Sequence, residues 1–119
     1  MAKKDDRLIV YEKITKLIIY SKNLLNKYPK SERFDLCTDI KNTLYQSLEQ
    51  VMYALKTKDT RERIRFLTNA DVKLYVLKTL TRLSYEFQYI TPKNYMTWDN
   101  LITEIGKMIG GWIRACQKE

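Results

Sequence analysis

The sequence predicts an all-α fold, an up-down-up-down antiparallel four-helix bundle, on three observations. Helix breakers are scarce, three glycines and two prolines in 119 residues. Between the breakers, apolar residues recur at alternating three- and four-residue steps, the period of an amphipathic helix. The turns between these runs are short, and long helices joined by tight turns must alternate in direction, so four apolar stripes meet in one core.

Helix 1 is expected over residues 6–28, its stripe made of Leu8, Tyr11, Ile14, Leu17, Ile18, Leu24 and Leu25. Tyr28-Pro29-Lys30 ends it, because a residue before proline is pushed out of the helical region. Helix 2, over 31–57, takes Ser31 as N-cap, and Phe34, Cys37, Ile40, Leu44, Leu48, Val51 and Leu55 form its stripe. Helix 3, over 59–90, opens on a capping box of Asp59 and Glu62. Ile64, Leu67, Ala70, Leu74, Leu77, Leu80, Leu83 and Phe87 are its apolar face. Helix 4, over 92–117, starts with Thr91 as N-cap and Pro92 in the first helical position, where the missing N–H costs nothing. Tyr95, Trp98, Ile102, Ile105, Ile109, Trp112 and Cys116 form a heptad seam.

Length allows a single domain, residues 1–119, large enough to bury a core without metals or cross-links. The net charge of +8 and pI near 9.5 point to an anionic partner, whether nucleic acid, acidic protein or membrane surface. Cys37 and Cys116 lie on apolar faces with no metal-binding spacing, and read as small buried hydrophobes of a reducing compartment. Met1–Asp6 is charged and lacks the apolar core of a secretory signal, and no apolar run is long enough to span a bilayer, so the expected location is cytoplasmic.

The chain has no histidine, which removes the commonest general base and the commonest metal ligand. It has no phosphate-binding glycine loop and only scattered carboxylates, so no enzyme activity, cofactor or metal is expected. Asp71 adjoins the stripe of helix 3, where a structural bond to Arg33, Arg82 or a neighbouring helix is expected ahead of catalysis.

Three features remain for partners. Gly106, Gly110 and Gly111 each cost a continuing helix about 1 kcal/mol relative to alanine. Either another backbone approaches there, from the bundle or a second subunit, or a glycine terminates the helix as a C-cap. Tyr20, Tyr45, Tyr53, Tyr75, Tyr85 and Tyr89 lie off or beside the stripes, suiting bundle edges, subunit interfaces or base stacking. Lys13 and Lys16 of helix 1, with Arg61, Arg63, Arg65, Lys73, Lys78 and Arg82 of helix 3, suit phosphate contacts or a solvated face. Lys78 and Arg82 share a face, and only Arg82 has an acidic residue four away, Glu86.

Three segments resemble the accessory variability (Avd) proteins of diversity-generating retroelements. They are Tyr28-Pro-Lys-Ser-Glu-Arg-Phe34, like an aromatic-Pro-x-x-x-Arg-Phe turn; Ala70-Asp-Val-Lys-Leu-Tyr-Val-Leu-Lys78 followed by Arg82-Leu83; and Glu104-Ile-Gly-Lys-Met-Ile-Gly-Gly-Trp112. The first is shared with a sister family of four-helix proteins encoded in intervening sequences of bacterial ribosomal RNA genes. The Gly-Gly-Trp ending is the feature associated with Avd. Lys78 and Lys107 stand where the pattern more usually has arginine, which keeps charge and loses forked hydrogen bonding. The resemblance implies a homopentameric barrel with a basic surface, associating with a reverse transcriptase and its template RNA during mutagenic copying, with the chemistry in the polymerase. It places Gly106, Gly110, Gly111 and Trp112 in packing or oligomer contacts and the basic residues of helices 1 and 3 on the partner surface. The alternatives are an rRNA-associated bundle of the sister family and a helical oligomeric scaffold with no nucleic-acid role.

Overall fold

A computed structural model describes residues 6–119; the charged opening segment before them, read above as no secretory signal, lies outside the described residues. Helices α1 (Asp6–Leu25), α2 (Leu36–Lys56), α3 (Thr60–Glu86) and α4 (Pro92–Gln117) follow one another, with one short 3-10 turn, Lys30–Glu32, between α1 and α2. Each helix packs on its chain neighbours, and α4 closes on α1 around one shared core. This is the expected four-helix bundle.

The caps of α3 and α4 form as expected. The Asp59 carboxylate accepts from the Arg61 and Glu62 backbone N–H groups, and the Thr91 hydroxyl from that of Asn94. Glu62 does not complete a capping box: Asp59's own N–H is held by Thr57 Oγ1, and Glu62 turns to Arg65.

Two boundaries differ from expectation. The segment after Pro29 first makes the 3-10 turn, and α2 begins at Leu36 after a non-helical Asp35, so Ser31 caps nothing in α2. Phe34, expected in the core, is 87% exposed. Helix α3 stops at Glu86 rather than Ile90, because Gln88 takes a positive φ of 64° that no continuing helix tolerates. Chain reversal there lets the Tyr89 hydroxyl donate to Glu32 at 2.6 Å and its ring meet Tyr28, joining two connections at one end of the bundle.

The core also shifts phase against the apolar pattern. On α1 it runs through Val10, Ile14, Leu17, Ser21 and Leu24, leaving Leu8 and Tyr11 exposed. On α3 it passes from Leu77 to Thr81 and Ser84, leaving Leu83 and Phe87 outside. The buried hydroxyls are satisfied on their own helices: Ser21 on the Leu17 carbonyl, Ser47 on Leu44, Thr81 on Lys78 and Ser84 on Leu80. Ser21 also accepts from the indole N–H of fully buried Trp98 at 2.8 Å, tying α1 to α4. The α4 seam matches expectation, with Trp98, Ile102, Ile105, Ile109 and Cys116 buried and Tyr95 and Trp112 at its margins.

One buried polar group is unserved. The Tyr28 hydroxyl has no hydrogen-bond partner among the described residues, and burial pushes its pKa up to about 12. Ser84 pulls the other way, but its hydroxyl is spent on the Leu80 carbonyl. Both cysteines are buried and unbridged, and burial raises their thiol pKa values, so neither is an activated nucleophile.

Candidate nucleic-acid interface

The eight basic residues singled out on helices 1 and 3 do not form one surface. Arg63 turns inward, its Nε donating to the Ala54 carbonyl at 2.9 Å and a terminal nitrogen to that of Thr57. These oxygens belong to the last turn of α2, so Arg63 serves as its C-terminal cap. Arg65 forks onto Glu62 at 2.8 and 2.9 Å and lies over the Phe66 ring. That pairing holds Arg65's pKa up and Glu62's down. Lys13 reaches Glu104 of α4 at 3.4 Å. Lys78 donates to Thr103 Oγ1 at 2.7 Å and lies 3.5 Å from Asp99, an acid that same-helix spacing could not reveal.

Lys16, Arg61, Lys73 and Arg82 make no side-chain hydrogen bond or ion pair among the described residues, and Glu86 does not take Arg82. Lys107 and Arg114 on α4 share that state. Helix α4 lies between α1 and α3, so Lys107 sits between Lys13 on one side and Lys78 on the other. Lys107 and Arg114 share one face with Lys78, between α3 and α4.

That side holds an open groove of about 410 Å³ between α3 and α4. Asp71, Leu74, Tyr75 and Lys78 line it from α3; Thr103, Gly106, Lys107, Gly110 and Arg114 line it from α4. The glycines make its shape. Gly106 and Gly110 share this face, whereas Gly111 looks toward α1 in a second trough with Arg7, Val10 and Trp112.

The helix runs unbroken through all three to Gln117, so none is a C-cap. Nor does a backbone of the bundle approach them. A Cβ at Gly106 would meet Asp71 Oδ1 at 3.9 Å, and one at Gly110 or Gly111 the Arg114 guanidinium at 3.5 or 3.7 Å, all ordinary contact. Within this chain, nothing requires glycine at these positions.

Asp71 stands at the groove with no hydrogen bond or ion pair among the described residues, so neither Arg33 nor Arg82 takes it. Partial burial alone raises its pKa. The sequence places Asp71 beside the stripe of helix 3 and gives no site role to Lys107 or Arg114, because their meeting in one groove depends on how α3 packs on α4.

The tyrosines divide. Tyr85 stacks on Tyr95 at 4.8 Å and Tyr20 donates to the Asn94 carbonyl, so both finish bundle edges. Tyr53 stacks on Phe66 at 5.1 Å, while Tyr45 and Tyr75 present their rings outward. An apolar row also runs down the outside of α3, where Val72, Val76, Leu83 and Phe87 are exposed at helical spacing.

Among the described residues no cluster of three or more acidic or thiol side chains could hold a metal, and no helix is long and apolar enough to cross a membrane. A family model described as bAvd-like matches residues 8–116. The chain is also similar in structure to a protein of unknown function from the S23 ribosomal protein family of Bacteroides thetaiotaomicron VPI-5482. The TM-score is 0.84 at 19% identity, over 92% of this chain and 99% of that one, a likeness of fold alone. No curated protein matches the chain.

Proposed function

The chain belongs to the bAvd-like family, and on that premise we propose that it is a non-catalytic accessory protein of a diversity-generating retroelement, binding the reverse transcriptase and its template RNA in the cytoplasm. The carrying observation is the surplus of exposed cations without acidic partners among the described residues, Lys16, Arg61, Arg82, Lys107 and Arg114 among them, on a chain of net charge +8. Unpaired guanidinium and ammonium groups give up no protein contact when a phosphate arrives, and they release counterions from the strand as they bind. Lys13 and Lys78 add charge from the flanks of α4, where their carboxylate pairs are part-exposed and weak.

Homo-oligomerisation, as a pentamer, belongs to the same reading. The outward row Val72, Val76, Leu83 and Phe87 is an apolar helical face without a cover, the pattern a subunit interface uses. Gly111, unneeded within the bundle and set in the separate trough toward α1, leaves room for a close neighbour.

Co-purification tests the proposal. The wild-type chain is expected to retain the retroelement's reverse transcriptase and template RNA. Arg82→Glu with Lys107→Glu is expected to lose the RNA while keeping its helical circular dichroism. These two positions are cleaner than Lys78, because a glutamate there would face Asp99. Unchanged RNA retention by the double variant would reject the surface.

A further inference from the structure

The groove between α3 and α4 combines features that a solvated basic face does not need. It is a half-open groove of about 410 Å³. Three cations line it, Lys78, Lys107 and Arg114, together with one carboxylate, Asp71. That carboxylate is partly withdrawn from water and has no donor among the described residues. Beside it stands Tyr75, a ring 65% exposed at the groove edge. Across from it, Gly106 keeps the wall free of a side chain, so a planar group can approach.

A carboxylate accepts through two parallel oxygens and is best served by two adjacent N–H donors. Among nucleobases only guanine presents that pair, N1–H and the N2 amine, on its Watson–Crick edge. Adenine and cytosine offer one amine beside an acceptor, and uracil one N–H between two carbonyls. An arginine from a protein partner also has two donors, but it would bring a cation among three cations. A guanine arrives neutral at the carboxylate and carries its charge on the phosphates.

We propose that this groove holds one unstacked guanine of a single strand, its N1–H and N2 amine donating to Asp71, its ring against Tyr75, and its flanking phosphates on Lys107 and Arg114. The inference rests on the nucleic-acid reading above and adds base preference at one position. Stacking on an aromatic ring and pairing through the base edge are the means by which single strands are read.

The test is fluorescence anisotropy with the full chain and short oligouridine RNAs carrying one central guanine, inosine, adenine or cytosine, at fixed low salt. The guanine strand is expected to bind about tenfold tighter than the adenine or cytosine strand, with inosine, which lacks the N2 amine, in between. Asp71→Asn, nearly isosteric, should remove the preference by weakening the guanine strand about tenfold, to the level of the adenine strand. Gly106→Leu, which fills the groove with a strong helix former, should do the same, and circular dichroism verifies both folds. Equal affinity of the wild type for all four strands overturns the guanine site and leaves the accessory function standing. So does a guanine preference that survives in both variants. Binding of an arginine-rich peptide in preference to every RNA, abolished by Asp71→Asn, gives the groove to a protein partner and overturns it. Failure to bind any strand overturns the nucleic-acid reading and the site with it.

Discussion

Replacing Gly106 and Gly110 together by alanine should make the isolated chain more stable. Both lie inside α4, which continues unbroken to Gln117. A glycine in a helix interior costs about 1 kcal/mol relative to alanine, because its backbone loses more freedom on folding. The new methyl groups meet only Asp71 Oδ1 at 3.9 Å and the Arg114 guanidinium at 3.5 Å, so no steric cost offsets the gain. The two changes are one turn apart and share no tight contact, so the expected sum is about 2 kcal/mol. For a domain of this size that raises the melting temperature by about 8 °C. Thermal circular dichroism at low micromolar protein measures it, with sedimentation on the same samples to report subunit number. A double variant that melts at or below wild type while sedimenting identically would refute the reasoning. A stabilised chain with a lower sedimentation coefficient, or with lost partner binding, would mean that the glycines serve an interface.

The buried Tyr28 hydroxyl has no partner among the described residues, so Tyr28→Phe should stabilise by about 1 kcal/mol, read as a higher urea midpoint with unchanged slope; a lower midpoint would show that the hydroxyl is satisfied. Asp71 has its pKa raised by burial, and a carboxyl held above its unfolded value binds more protons folded than unfolded in that window, so its contribution to stability falls as pH rises through it. Asp71→Asn should therefore melt above wild type at pH 7, with the gap closing as pH falls to about 4, where the unfolded carboxyl also protonates; a gap independent of pH would contradict the assignment.

The legible parts of the sequence were those where one local rule had no competitor. Thr91-Pro92 and Asp59 fixed two helix starts, and the α4 seam keeps its three- and four-residue steps from Tyr95 to Cys116. Helix α1 was harder, because Leu8, Ile9, Val10, Ile18 and Ile19 are all apolar and the pattern alone cannot choose which face turns inward. The phase on α1 and α3 is set by Ser21, Thr81 and Ser84, small hydroxyl residues that read as surface until their bonds to the preceding turn are seen. The start of α2 differs because Ser31 is a good cap in any sequence, while Asp35 leaves the helical region and the Glu32 carboxylate accepts from the Leu36 N–H at 3.3 Å.

Candidate cations were legible as residue types and not as a site. Arg63 and Arg65 differ by two positions, yet one caps α2 and the other pairs with Glu62. Lys78 looked unneutralised along its own helix and finds Asp99 on the next one. The α3–α4 groove draws on residues more than thirty positions apart, so only the packing of two helices brings Asp71 to Gly106.

The salt dependence of RNA binding bears most directly on a cationic scaffold meeting a polyanion. Log affinity for a single strand falls against log salt with a slope of about −0.7 for each phosphate neutralised, so three or more contacts from the unpaired cations give about −2 or steeper. A slope near zero, or no binding at low salt, would contradict the account.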